Sequence, residues 1–365
     1  MTKHQCPMMR RGDILVGAVA SLLLAIFAVG PTCRTALGQS FFEQEPINYH
    51  TAPVNDPVAR LQKAIAQGKL KLAFDEQHGY LKSVLESLEI SPSSQMLVFS
   101  KTSFQRKRIS PSNPRALYFN DDVYVGWVQD GTVIEVSSVD ARQGTIFYTL
   151  AQQESASPRF ERDRGDCLSC HATSRTRDVP GSLVRSVYPS PTGLPHFDAG
   201  TFRTNHSSPF AERWGGWYVT GTHGAQRHMG NAIASDKKNQ EKLDKETHAN
   251  LKELSGLLDT SPYLTSHSDI VALMVLEHQT DMHNLITRAN YDTRRALRDA
   301  KVLNEMLNEP ADYISPSIRR RIANAGEKLL KYMLFVDEAD LTDAVQGTSA
   351  FAADFSSLGP RDSQG

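Results

Sequence analysis

Cys167-Leu168-Ser169-Cys170-His171 is the densest concentration of chemistry in this chain of 365 residues. Two thiols three positions apart can each form a thioether with one vinyl group of a single porphyrin. The histidine that follows the second thiol then falls under the iron as its proximal axial ligand. The same residue types also serve in zinc half-sites, dithiol redox pairs and structural disulfides. A cysteine zinc site needs a second pair of matching spacing. The chain has four cysteines, Cys6, Cys33, Cys167 and Cys170, and a single Cys-x-x-Cys. A redox pair sits within a βαβ pattern and does not require the trailing histidine. The favoured reading is one covalent haem c on Cys167 and Cys170, with His171 as the proximal ligand.

The far side of the iron decides what such a group does. A strong second protein ligand suits electron transfer; an open position admits peroxide or a small gas. Gly221–Asn231 is the segment richest in ligand types. Met229, 58 residues beyond His171, is the leading sixth-ligand candidate. His223 and His228 are its alternatives, and a more distant residue or no protein ligand also stays open. His196 and His206 are weaker candidates. Arg203, Arg213 and Arg227 offer guanidinium forks for haem propionates, against the plain reading of solvated surface charge. Trp214-Gly215-Gly216-Trp217-Tyr218 is read as an apolar wall that lets the backbone approach a flat ligand, or as an ordinary bulged strand. Met274, His278 and Met282 share one helical stripe, where packing is the commoner role of methionine.

The N-terminus carries the pattern of an export signal over residues 1–38. Lys3, Arg10 and Arg11 precede a 16-residue apolar run from Ile14 to Val29, shorter than the ~20 residues of a membrane span. Ala36-Leu37-Gly38 supplies small residues for cleavage before Gln39. A lipid-modified Cys33 and an uncleaved anchor are the competing readings, and the anchor is the only expected route to a membrane. Cleavage removes Cys6 and Cys33, leaving only the two thiols of the motif in an oxidising, periplasm-like compartment. It takes away four of 40 basic and one of 41 acidic residues, so 36 face 40, a net charge of −4. No large basic field remains, which argues against nucleic acid as a partner.

Around the motif the texture changes along the chain. Residues 39–154 read as an α+β region. Asp56-Pro57 caps a helix to about Lys69, and a second helix covers Gly79–Leu88. An antiparallel meander then runs over residues 95–150, with Asp130-Gly131 as a two-residue hairpin signal. Residues 155–234 are loop-rich and hold the haem motif, with one strand expected at Trp214–Thr220. Residues 235–345 read as helical, in segments Lys237–Leu258, Ser268 to about Arg288, Tyr291–Leu307 and Ser317–Phe335. Residues 346–365 read as a flexible tail. The expected class is α+β: a β-meander, a loop-rich haem-binding region and a C-terminal helical region.

Through Cys167, Cys170, His171 and the export segment, the chain resembles the c-type cytochromes. The resemblance implies electron transfer by a single haem, with a redox protein or a respiratory complex as partner. The chain departs from the small cytochromes in its flanks: residues 157–166 lack the apolar helix that precedes the motif there. A peroxidase-like haem enzyme using His223 with Arg227, and a haem-bearing sensor or scaffold subunit, are the alternatives. No hydrolase elbow, phosphate loop or metalloprotease helix is present.

Overall fold

The computed structural model describes residues 40–236 and 242–358; residues 1–38, expected to be an export signal, lie outside the described residues. The fold is α+β. Six strands form an antiparallel sheet in strict sequence order: β1 (Met96–Val98), β2 (Arg115–Phe119), β3 (Val123–Trp127), β4 (Val133–Asp140), β5 (Gly144–Ala151) and β6 (Phe160–Arg162). Strand β4 alternates half-buried and buried residues along its whole length, so one face must meet a core. Asp130 takes a left-handed backbone (φ 57°) in the β3–β4 turn, a conformation that Asp tolerates better than most residues.

The two faces of the sheet serve different partners. Tyr118, Val125, Val136 and Tyr148 stand in register across four strands and belong to the larger core cluster. That cluster also takes Val58 and Leu61 from α1 (Pro57–Ala66) and Val84 and Leu85 from α2 (Leu81–Ser87). Asp56 ties this side together. One carboxylate oxygen caps α1 through Val58 N and Ala59 N, and the other accepts from Tyr148 Oη at 2.7 Å. On the opposite face, Phe119, Tyr124, Met96 and Val98 pack with Ile270, Leu273 and Leu276 of α4 (Ile270–Leu307). Phe147 on that same face meets His171 of the Cys-x-x-Cys-His motif.

Helix α4 is the spine of the rest. The sequence suggested two helices with a break near Arg288–Tyr291; the structure has one helix of 38 residues. No Gly or Pro interrupts it, so nothing ends the hydrogen-bond ladder before Asn308 adopts the left-handed conformation at the C-cap. Asp269 caps its N-terminus through Val271 N and Ala272 N. Helix α5 (Pro316–Met333), capped by Ser315, packs back on α4 through Ala296, Ala300 and Ile318. Two short strands, β7 (Val184–Val187) and β8 (Thr201–Thr204), form a hairpin beside the motif. Among the described residues no helix is long and apolar enough to cross a membrane.

Three expectations require correction. Lys237–Leu258 is not a helix over its described part, residues 242–258. Asp244 instead accepts from Glu246 N, Thr247 N and Thr247 Oγ1, a local turn that competes with helix. Trp214–Thr220 is not a regular strand. Trp214 and Gly216 have φ of 63° and 89°, which bends the segment away from the pleat and leaves it isolated bridges from Trp217 to Val98 and from Thr220 to Asp269. Residues 346–358 are not a free tail. Thr222 and Gln346 exchange backbone hydrogen bonds, and α6 (Phe351–Ser357) buries Phe351 against Phe119. Residues 359–365 lie outside the described residues.

Candidate functional site

The motif forms a single helical turn, α3 (Leu168–His171), with Cys167 at its N-cap. A carboxylate sets the turn up. Asp163, whose N–H continues the sheet onto Phe147 O, accepts from both Gly165 N and Cys167 N. Cys170 N and His171 N then both donate to Cys167 O, at 3.1 and 2.9 Å. Leu168 inserts into the larger core cluster. Cys167 packs half-buried at its edge, while Cys170 is exposed. Both thiols are free. The leucine between the two cysteines thus anchors the turn, with Cys170 facing outward.

His171 is held from two directions by Gly181. Gly181 N donates to His171 O at 2.8 Å, and His171 Nδ1 lies 2.9 Å from Gly181 O. A carbonyl oxygen has no proton to give, so Nδ1 carries the proton and Nε2 keeps its lone pair. A metal-binding histidine uses this arrangement: the outer nitrogen donates to a backbone carbonyl and the other nitrogen is left basic. The ring also lies against Phe147, with centroids 5.0 Å apart. Burial holds the His171 pKa below the ordinary histidine value and Arg115 adds to this, while the Gly181 carbonyl, Glu135 and Asp163 oppose it. The imidazole is therefore neutral at neutral pH.

The clasp continues into α4. Asn284 on α4 donates Nδ2–H to Ser182 O at 2.7 Å and accepts from Ser182 N at 3.2 Å. A Cβ at position 181 would collide with the Asn284 carboxamide, so Gly181 is glycine because the helix approaches so closely. Neither residue attracted notice in the sequence. They lie more than a hundred positions apart, and only the fold makes them neighbours.

The thiol chemistry separates the readings of the motif. Burial pushes the Cys167 thiol up to about 12, and the carboxylates of Asp163, Glu135 and Asp166 push in the same direction. A dithiol redox site works by the opposite shift, with its nucleophilic cysteine lowered into the thiolate range. Among the described residues, no group of three or more His, Cys, Asp or Glu side chains gathers as a metal site. Two free thiols on one turn, beside an imidazole with a free Nε2, fit the donor set of a covalently attached haem. Cys167, Cys170 and His171 would hold it.

The residues expected on the far side of the iron stand elsewhere. Met229 is buried in a small cluster with Ala232, Ala234 and Leu243, and its sulfur accepts from Ser186 Oγ at 3.7 Å. His223 uses both ring nitrogens: Nδ1 donates to Gln226 O, and Nε2 accepts from Asn250 N. His228 accepts from Gly230 N and packs against Trp214 and His223; burial lowers its pKa to about 3. None of these contacts reaches the motif. His206 and His278 pair through their Nδ1 atoms at 2.9 Å under Tyr332 and Phe335, and His196 bonds Ala234 O.

The three arginines expected for propionates have protein partners. Arg213 is buried with Glu277 at 2.6 Å, Arg227 pairs with Glu246, and Arg203 reaches Asp281. A guanidinium placed in a core needs a carboxylate there, which is the role of Glu277. Two other arginines, Arg175 and Arg185, act electrostatically on each other, and Arg185 also on Cys170. Arg175 follows the motif by four residues, Arg185 lies on β7, and Arg203 Nη1 donates to Arg175 O.

No protein-family model, curated protein or solved structure matches this chain.

Proposed function

We propose that this chain is an exported single-haem protein of the c type, and that it transfers electrons. The observation that carries the reading is the His171 clasp. An Nδ1–H fixed on Gly181 O, beside two unpaired thiols on one helical turn, presents Nε2 as a ligand. When bound, the haem supplies a one-electron Fe(III)/Fe(II) couple. The chain's own residues do the rest. Cys167 and Cys170 fix the group to α3. Gly181, itself set by Asn284, holds the imidazole in one tautomer and one orientation. Phe147 covers one side of the ring and limits water there. A redox protein or respiratory assembly would be the partner, and the compartment would be the periplasm or its equivalent.

A second reading has its own support. Met229, His223 and His228 are each engaged away from the motif, which favours a site whose sixth position no such side chain fills. An open position would admit a small exogenous ligand, as in a haem enzyme or sensor. Carbon monoxide distinguishes the two: an unchanged ferrous spectrum supports pure electron transfer, and a shifted one supports the open site.

The haem itself is tested by the alkaline pyridine haemochrome of protein exported through a haem-attaching pathway. The wild type should give the band of two saturated vinyl groups. Cys167→Ser and Cys170→Ser should each move it to the position for one, and the double variant should lose its haem to acid–acetone extraction. A double variant that keeps unextractable haem would overturn the proposal.

A further inference from the structure

A cationic groove of about 700 Å3 opens between α4, α5 and the loop that follows the haem motif. Its size falls in the range of small-molecule sites, roughly 300–1,000 Å3. Four of the cations that line it have counterions. Arg177 meets Asp281 at 2.8 Å and Arg203 reaches the same carboxylate at 3.4 Å. Arg288 pairs with Asp292 at 2.9 Å, with Asp178 at 3.7 Å, and Arg321 meets Asp299 at 2.7 Å. Arg175 and Lys328 also line the groove, and among the described residues neither has an ion-pair partner. Six cations therefore face four carboxylates, a surplus of two positive charges.

The groove is a built feature. Arg177 and Asp178 both take left-handed backbone, with φ of 59° and 60°. Arg288 Nη1 donates to Arg177 O and Arg203 Nη1 to Arg175 O, so side chains from α4 and β8 hold the loop in this shape. The surface is not uniformly charged. Leu285, Ala289 and Ala325 supply apolar lining among the cations. Guanidinium groups recognise carboxylates through paired N–H donors, and an apolar lining suits a carbon skeleton.

We propose that this groove binds a small organic dicarboxylate, whose two charges match the surplus and whose carbon spine lies on the alanine and leucine surface. The inference does not depend on the haem. Succinate titrated calorimetrically into the full chain at low salt is the probe, with inorganic sulfate in parallel. Saturable one-to-one binding of succinate is expected, with Kd on the order of 1 mM or lower. Arg175→Ala and Lys328→Ala should each weaken it about tenfold without moving the Tm, since neither removes an ion pair. Lys331→Ala, which lies outside the groove and pairs with Glu327, should leave it unchanged. No saturable binding, or binding indifferent to Arg175 and Lys328, overturns the site. Sulfate binding as tightly as succinate overturns the dicarboxylate assignment. The same titration on Cys167→Ser/Cys170→Ser protein should give the same affinity. Binding confined to that variant would mean that haem propionates fill the groove, and would overturn a free-ligand site.

Discussion

The clasp between α4 and the motif makes a prediction with an unusual sign. Asn284→Ala removes both hydrogen bonds to Ser182. Ser182 is half-exposed, so water recovers part of the loss; the cost should be about 1–3 kcal/mol. For a unit of this size that lowers Tm by roughly 1.5–4.5 °C. Gly181→Ala should cost a similar ~1–3 kcal/mol, because its Cβ would enter the space of the Asn284 carboxamide and force the clamp apart. The two losses should not add. With Asn284→Ala the obstructing atoms are gone, and the next neighbour of a Cβ at 181 is Thr176 Cβ at 3.5 Å, an ordinary contact. Gly181→Ala should then cost under about 0.5 kcal/mol, a coupling of about 1–2 kcal/mol. Urea unfolding of the full chain followed by circular dichroism measures all four corners of the cycle. If Gly181→Ala costs the same in both backgrounds, Asn284 does not fill that space and the clasp described above is wrong.

Two further outcomes follow from buried groups. Asp269 caps α4 with one oxygen and holds Thr348 N, Ser349 N and Ser349 Oγ with the other. Asp269→Ala should therefore cost about 2–4 kcal/mol and unprotect the Thr348 and Ser349 amides in hydrogen exchange; a loss under about 0.5 kcal/mol with unchanged protection would contradict this. Acid should destabilise the fold before its carboxylates titrate. Burial lowers His228 to about 3, and burial together with His206 lowers His278 to about 4, both from an ordinary 6.5. Between those values the unfolded chain binds protons that the folded chain refuses, so stability falls as pH drops from about 6.5 toward 4. Scanning calorimetry across that window should show a falling Tm, and a flat profile would remove the argument.

Local signals in the sequence served where the controlling interaction is itself local. Asp56-Pro57 announced a helix start because a cap acts within three residues. Asp130-Gly131 announced the β3–β4 turn for the same reason. The misses lie where distant contacts rule. Apolar residues in 242–258 suggested a helix, but Leu251, Leu254 and Leu258 reach the core from turns shaped by Asp244 and Asn250. Trp214–Thr220 has strand composition, yet Trp214 and Gly216 turn its backbone aside. The short β7 and β8 carried too little pattern to register. At the motif, the sequence showed which residues carry chemistry but not what orients them. Gly181 and Asn284 bear on that turn through contacts that no spacing rule encodes.

The central claim concerns a covalent bond, and one measurement reaches it most directly. The intact mass of the exported chain, taken under denaturing conditions that strip any non-covalent ligand, should equal the mature polypeptide plus one haem. The added mass should disappear in Cys167→Ser/Cys170→Ser. A wild-type chain that unfolds to the bare polypeptide mass after passage through a competent haem-attaching pathway would contradict the account.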